Sequence, residues 1–193
     1  MGNADKRGVH IMRVIAGDFK GRQLMSVPTH KTRPTTDKVK EAVFHVIGPY
    51  FEGGKALDLF AGSGGLGIEA LSRGAESCIF VDQQPKAIQT IYDNIKKLDI
   101  EERVEVFKTD AMRAIKAAGK RELTFDYIFL DPPYNKFSYK DLMEALLEND
   151  LIAESATIVC EHDASEEIPE EVGHLKRLKT DYYGSNIGVS IFE

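Results

Sequence analysis

The sequence predicts a Rossmann-like, doubly wound α/β fold whose mostly parallel, seven-stranded sheet has an antiparallel last strand. From Gly54 onward, short apolar runs typical of strands alternate with segments of helical periodicity. Residues 125–130 are almost entirely apolar, which is typical of a parallel strand covered on both faces. The last two strand-like runs, 175–182 and 187–192, flank a tight turn at 184–186, so this hairpin adds an antiparallel strand.

A β-hairpin and a helix are predicted before this sheet. Residues 13–16 and 22–27 are strand-like and flank a turn-rich segment at 17–21. Thr36 or Asp37 is expected to cap the following helix. The remaining elements are expected at strands 56–60, 77–81, 104–107 and 157–160, and at helices 66–72, 111–118, 139–147 and one that begins at Pro85.

Composition limits the class of protein. A chain of 193 residues can bury one full core, and it has neither an apolar run long enough for a membrane helix nor a secretory signal, so we expect a cytoplasmic protein. Cys78 and Cys160 lie in apolar runs and are expected to be buried thiols. The five histidines lack metal-ligand spacing, so we expect no metal site.

Charge is distributed unevenly along the chain. The formal net charge is -6, yet residues 12–40 hold seven basic and two acidic residues, a balance of +5. A basic front end on an acidic body suits attraction to phosphate groups. A solvated, charged hairpin would have the same composition, so charge alone does not decide between the two interpretations.

A glycine loop follows the first strand of the sheet. Gly62, Gly64 and Gly67 satisfy GxGxxG, and Asp82 lies 20 residues after Gly62, so a nicotinamide dinucleotide is one ligand that fits. Asp58 favours S-adenosylmethionine instead, because a carboxylate at the mouth of the loop would attract the methionine ammonium and repel a pyrophosphate.

Two further observations point to the same ligand. Asp110, at the end of the third strand, can accept a hydrogen bond from the adenine amine. The chain also has no room for the second, substrate-binding domain that most dehydrogenases carry. A structural turn with surface acids remains the alternative interpretation of the glycine loop.

The run Asp131-Pro132-Pro133-Tyr134 ends the fourth predicted strand. The Asp131 carboxylate and the Pro132 carbonyl can accept both hydrogens of an exocyclic amine and direct its lone pair toward a methyl donor. Proline has no N–H that would compete for the substrate, and Tyr134 offers a face for stacking a base, worth about 1–3 kcal/mol. A strand that ends in a proline-rich turn is the alternative interpretation.

In this order, the motifs resemble the amino-methylating branch of class I S-adenosylmethionine-dependent methyltransferases. Residues 13–17, 21–24 and 32–37 are similar to the front end of the RsmD-type enzymes, which methylate N2 of a guanine in bacterial 16S ribosomal RNA. The resemblance extends from Met12 to the end of the chain. It implies a partner in ribosomal RNA, within a small-subunit particle, and we expect a monomer that does not bind membranes.

The resemblance also divides the chain and assigns its residues. We expect residues 1–11, which have no counterpart in that family, to be a tail or cloning remnant, 12–53 to form a basic extension of hairpin and helix, and 54–193 to form the methyltransferase domain. The residues implied for catalysis are Asp131, Pro132, Pro133 and Tyr134. Those implied for cofactor binding are Asp58, Phe60, Ala61, Gly62, Ser63, Gly64, Asp82, Gln83, Asp110 and Ala111. Those implied for RNA binding are Arg13, Lys20, Arg22, Arg33, Thr35 and Lys38.

Three other functions share parts of this pattern. A DNA adenine-N6 methyltransferase carries the same four-residue run, but it normally has a target-recognition domain for which this chain has no room. A protein glutamine-N5 methyltransferase usually has Asn in place of Asp131. A non-catalytic RNA-binding assembly factor of the same fold would not need the amine-binding carboxylate.

Overall fold

The computed structural model describes residues 11–28, 36–133 and 135–193. Its strands, in chain order, are β1 Ile11–Arg13, β2 Gln23–Met25, β3 Lys55–Asp58, β4 Ser77–Asp82, β5 Val104–Lys108, β6 Phe125–Leu130, β7 Ile152–Asp163, β8 Glu171–Val172, β9 Leu175–Tyr183 and β10 Ile187–Phe192. Its α-helices are α1 Asp37–Ile47, α2 Gly65–Ser72, α3 Pro85–Leu98, α4 Ala111–Lys120 and α5 Tyr139–Glu148. A 3-10 turn spans Glu101–Arg103.

The central sheet has eight strands in the order β5-β4-β3-β6-β7-β10-β9-β8. Strands β3 to β7 pair with one another in parallel, whereas β10 is antiparallel to both β7 and β9. The predicted doubly wound fold and its antiparallel last strand are therefore confirmed. The eighth strand, β8, was not predicted, because its two residues are too few for an alternating pattern.

Strand β7 is longer than the sequence predicts. It spans Ile152–Asp163, whereas the apolar run covers only 157–160. Exposed Glu154 and Ser155 interrupt its apolar pattern, and the pairing with β6 shifts register between Phe125 and Tyr127. Where strand pairing is irregular, the strand gains residues that do not continue the alternation of buried and exposed side chains, so the sequence pattern does not show its full length.

Local signals set the helix boundaries. The Thr36 hydroxyl accepts the Val39 N–H at 3.3 Å, so Thr36, and not Asp37, is the N-cap of α1. Gly48 ends this helix with a φ of 120°. Pro85 occupies the first position of α3, where a missing N–H costs nothing.

Buried side chains cover both faces of the sheet. Helices α1 to α3 pack on one face and α4 and α5 on the other, and the adjacent residues Phe129 and Leu130 of β6 contact these opposite layers. Cys78 and Cys160 are buried free thiols, as predicted. Among the described residues, no helix is both long and apolar enough to cross a membrane.

A buried ionic network attaches the N-terminal hairpin to α2. The Glu69 carboxylate, which is 0 % exposed, accepts the backbone N–H groups of Ile15 and Ala16 at 3.0–3.2 Å. It also pairs with Lys40 Nζ at 3.3 Å and with Arg73 Nε at 2.9 Å. One carboxylate therefore joins the hairpin, α1 and α2.

Candidate active site

The glycine loop connects β3 to α2 at the carboxyl edge of the sheet. Gly62 and Gly64 have φ values of 56° and 85°, left-handed conformations that favour glycine. A Cβ at Gly62 would meet open space, whereas one at Gly67 would lie 2.4 Å from the Phe80 ring. The first glycine therefore leaves the loop open, the second allows its left-handed turn, and the third permits close packing of helix on sheet, as GxGxxG predicts.

Two carboxylates hold this loop from below. Asp58 Oδ2 accepts the Gly67 N–H at 3.0 Å, and Asp82 Oδ2 accepts the Gly62 N–H at 2.9 Å. Asp58 is 2 % exposed, so it lies beneath the loop and not at its mouth, in contrast to the expectation from sequence. Burial, partly offset by the Gly67 N–H and reinforced by Asp82, raises the pKa of Asp58 to about 7.

The next two strands also end in acidic residues. Asp82 Oδ1 accepts the Gln84 N–H at 2.8 Å, and the Asp82 carbonyl accepts the Thr109 N–H at 3.1 Å, which holds the ends of β4 and β5 together. Asp110 caps α4 by accepting the Arg113 N–H at 3.0 Å. Three acidic strand ends thus share one edge of the sheet. The other residues predicted for the cofactor belong to the same three ends: Phe60, Ala61, Ser63, Gln83 and Ala111.

The sequence analysis missed Asn94, which links the glycine loop to the hairpin. Its amide group donates to the Ser63 carbonyl at 3.0 Å and to the Met25 carbonyl at 2.9 Å, and its oxygen accepts the Met25 N–H at 2.8 Å. Asn94 is completely buried, on the apolar face of α3 between Ile91 and Ile95. A polar residue within an apolar helical stripe was the available signal.

Asp131, Pro132 and Pro133 follow β6, which is adjacent and parallel to β3, so they lie at the same edge as the glycine loop. Burial raises the pKa of Asp131 well above its ordinary value, and the neighbouring charges of Glu161 and Asp58 add to this effect. Tyr134, the last residue of the predicted catalytic run, lies outside the described residues.

A cavity of about 300 Å³ opens beside Asp131, near the lower end of the size range of small-molecule sites. Its walls combine carboxylates, prolines, aromatic rings, two amides and one aliphatic side chain: Asp131, Pro132, Pro133, Asn135, Phe137, Tyr139, Glu161, His162, Asp163, Glu166, Asn186 and Ile187. The Phe137 ring packs on Phe60 with a centroid separation of 5.2 Å. This contact joins the segment after Pro133 to the glycine loop.

Four of the six residues predicted to contact RNA are exposed in the described part of the chain: Arg13, Lys20, Arg22 and Lys38. Arg13 Nε pairs with Asp37 at 2.7 Å, and Arg22 donates to the Lys97 carbonyl at 2.7 Å. Arg33 and Thr35 lie outside the described residues. Lys40, counted in the basic balance of the front end, is buried against Glu69 and cannot meet a phosphate.

The part of the chain that the structure describes contains no group of three or more His, Cys, Asp or Glu side chains that could hold a metal ion. The acidic side chains at the strand ends are engaged by backbone N–H groups instead, as at Asp58, Asp82 and Asp110. The chemistry of this edge is therefore that of hydrogen-bond acceptors.

Comparison with known proteins agrees with this geometry. Residues 12–191 match the family described as "Conserved hypothetical protein 95". YlbH of Bacillus subtilis (strain 168), named as a candidate rRNA methyltransferase, is 54% identical over 182 residues, which cover 94% of this chain and 98% of YlbH. Ribosomal RNA small subunit methyltransferase D of Escherichia coli (strain K12) is 30% identical over 158 residues, 82% of this chain and 78% of that protein.

Solved structures give the same relationship. The structure of yhhF from Escherichia coli, named as a candidate methyltransferase, superposes with a TM-score of 0.82 at 27% identity and covers 94% of this chain and 97% of that one. SMU.776, a candidate methyltransferase complexed with SAH, shares the fold with a TM-score of 0.74 at 14% identity, over 100% of this chain and 58% of that one. The chain therefore belongs to the Conserved hypothetical protein 95 family, the family of ribosomal RNA small subunit methyltransferase D.

Proposed function

We propose that this protein transfers a methyl group from S-adenosylmethionine to the exocyclic N2 amine of a guanine in bacterial 16S ribosomal RNA. The observation that carries the proposal is the position of Asp131 and Pro132, which follow β6 beside the glycine loop and line a polar cavity. Family membership and the names of its relatives support it. The proposed place of action is the cytoplasm, on a small-subunit particle.

The glycine loop and the acidic strand ends fit S-adenosylmethionine. Open space at Gly62 lets the backbone approach the methionine part. Asp82 is oriented by two N–H groups and keeps lone pairs for the ribose hydroxyls, and Asp110 would accept from the adenine amine. Negative charge at this edge suits a cationic ligand and disfavours the pyrophosphate of a dinucleotide. When bound, the cofactor supplies an electrophilic methyl group on a positively charged sulfur.

Asp131 and Pro132 would position the acceptor amine. The carboxylate of Asp131 and the carbonyl of Pro132 accept its two hydrogens and hold its lone pair toward the methyl carbon. The bond from this carbon to sulfur breaks as the bond to nitrogen forms, and the nitrogen then releases one proton. Because burial raises the pKa of Asp131, this carboxylate is a stronger base than an exposed one and can accept that proton.

Exposed cations on the hairpin and on α1 would bind the phosphate backbone of the RNA. Arg13, Lys20, Arg22 and Lys38 are exposed, and Arg13 reaches α1 through its ion pair with Asp37. Arg33 and Thr35 are proposed to border the cavity, and Tyr134 to stack on the extruded base. Contacts to phosphate position the RNA and carry no sequence information, so base selection must lie within the cavity.

Transfer of a labelled methyl group to four acceptors tests this function: small subunits that lack the endogenous modification, naked ribosomal RNA, DNA and a translation factor. We expect label in ribosomal RNA, and loss of transfer in Asp131→Ala while S-adenosylhomocysteine still binds. Asp93→Ala, on the exposed face of α3, is the matched control and should transfer normally.

Each alternative function gives a different result. Label in DNA alone would identify an adenine methyltransferase, and label in the translation factor a glutamine methyltransferase. Cofactor binding without transfer to any of the four acceptors would indicate an assembly factor. Any of these outcomes would contradict the proposed function. Loss of cofactor binding in Asp131→Ala would instead contradict the role assigned to Asp131.

A further inference from the structure

The cavity beside Asp131 contains a second carboxylate whose position the sheet determines. Leu130 of β6 pairs in parallel register with Cys160 of β7, so the residues that follow, Asp131 and Glu161, lie side by side. Side chains alternate along a strand, and the two carboxylates therefore project from the same face. Both line the cavity, and the charge of Glu161 acts directly on Asp131.

Glu161 is presented from a rigid part of the fold. Its strand, β7, lies between β6 and β10, and Glu161 itself pairs with Val189 of β10. The Tyr139 hydroxyl donates a hydrogen bond to the Glu161 carbonyl oxygen. The backbone of Glu161 is thus held by β10 and by the Tyr139 hydroxyl, and a side chain that selects among similar ligands needs a backbone that is fixed in this way.

The chemistry of nucleobases gives such a carboxylate a specific use. In guanine, the ring nitrogen beside the exocyclic amine carries a hydrogen, so the N1–H and the N2 amine present three donor hydrogens in a row. In adenine and cytosine, the ring nitrogen beside the amine has a lone pair instead. An ionised carboxylate can only accept hydrogen bonds, so it attracts the guanine edge and repels the other two.

We propose that Glu161 accepts the N1–H of the acceptor guanine and thereby selects guanine over adenine and cytosine. This inference rests on the proposed function, because it assigns Asp131 and Pro132 to the two hydrogens of N2. Three donor hydrogens on the base then meet three acceptors on the protein.

One base analogue removes this contact. 2-Aminopurine keeps the N2 amine but has a lone pair at N1 and no oxygen at C6, so small-subunit RNA with 2-aminopurine at the mapped target position tests the N1–H and O6 together, and a variant of Glu161 separates the two. For the wild-type protein we expect kcat/KM to be at least about 100-fold lower for this RNA, because a site built to bind an N–H rejects an analogue that lacks it. Affinity for the RNA, measured with S-adenosylhomocysteine bound, should fall in the same direction.

Glu161→Gln should narrow the difference in kcat/KM between guanine and 2-aminopurine RNA to within about tenfold, because a glutamine amide can turn its NH₂ toward the N1 lone pair. Glu154→Gln, at the exposed beginning of the same strand, is the matched control and should keep the wild-type ratio. Cofactor affinity should be equal in the two variants, and Glu161→Gln should unfold at a temperature no lower than that of Glu154→Gln. If Glu161→Gln does not fold, Glu161→Ala takes its place and should narrow the same ratio, because it also lacks the acceptor for the N1–H.

Two results would overturn the role of Glu161. One is equal methylation of guanine and 2-aminopurine by the wild-type protein, and the other is an unchanged ratio in a folded Glu161→Gln variant. In both cases methylation of guanine N2 would still be observed, so the proposed function would survive. If the wild-type protein never methylates N2 of guanine, the proposed function itself fails.

Discussion

Replacing Glu69 by alanine should be among the most destabilising single changes in this protein that leave the apolar core intact. The side chain is 0 % exposed, and its carboxylate accepts two backbone N–H groups from the hairpin as well as two buried cations. Lys40 and Arg73 are 2% and 5% exposed, so they cannot turn to water when their partner is removed. The change therefore leaves two uncompensated charges and two unpaired N–H groups inside the protein.

The expected loss follows from these contacts. Removing one partner of a buried ion pair typically costs about 3–5 kcal/mol, and each unsatisfied buried N–H group adds about 1–3 kcal/mol. Deprotonation of Lys40, whose pKa burial already lowers, and entry of water offset part of this sum. We therefore expect Glu69→Ala to lower the free energy of unfolding by about 4 kcal/mol, a large part of the roughly 5–15 kcal/mol that domains possess.

Urea unfolding followed by circular dichroism measures this loss. With a slope of about 2–3 kcal/mol/M, a loss of about 4 kcal/mol moves the midpoint down by roughly 1.3–2 M. Glu76→Ala, an exposed glutamate after α2, is the control and should stay within about 0.5 kcal/mol of wild type. A midpoint for Glu69→Ala within about 0.3 M of the wild-type value would refute the reasoning, since the network would then add no net stability.

Three other predictions follow from the site. Burial raises the folded-state pKa of Asp131, so the folded protein binds this proton more tightly than the unfolded chain does and stability falls as pH rises above the ordinary carboxyl range. Asp131→Asn should therefore abolish methyl transfer yet increase the free energy of unfolding at neutral pH, measured in urea. Asn94→Ala should lower stability by about 1–3 kcal/mol and weaken the binding of S-adenosylhomocysteine in calorimetry, because it frees the Ser63 carbonyl. Replacing Arg13 and Arg22 together should weaken RNA binding and reduce its logarithmic salt slope by about 2.

Matched control variants separate these specific effects from a general loss of folding. A less stable Asp131→Asn variant at neutral pH would contradict the cost assigned to this half-buried carboxylate. Gln89→Ala, on the exposed face of α3, is the control for Asn94→Ala. Equal cofactor affinity in the two variants would show that Asn94 does not position the glycine loop. Lys116→Ala, on α4 at the opposite face of the sheet, is the control for the hairpin. An unchanged salt slope after the loss of both arginines would locate the RNA surface elsewhere.

The parts of the fold that were predictable from sequence rest on local periodicity. The run 125–130 gives β6 with the correct bounds, and Thr36 caps α1 as its residue type favours. The sequence also indicates the role of Gly67, because a third glycine in GxGxxG allows close packing of helix on sheet. These features depend on neighbours in the chain, which a single sequence displays.

Features that depend on partners distant in the chain were not predictable. Glu69 contacts residues more than 50 positions away, and Asn94 contacts Met25 and Ser63, so their roles emerge only when the layers are assembled. Lys40 looks like a free cation in the sequence but is buried against Glu69. Packing also decides whether a carboxylate at the end of a strand is exposed or buried. Asp58 therefore lies beneath the glycine loop and not at its mouth.

The central claim is that Asp131 positions the N2 amine of a guanine in small-subunit ribosomal RNA. Its most direct test is mass mapping of the methylated nucleoside in RNA from small subunits treated with the wild-type protein or with Asp131→Ala. We predict N2-methylguanosine at one position with the wild-type protein and none with the variant. A methyl group on adenosine N6 or cytidine N4, or equal modification by both proteins, would contradict the claim.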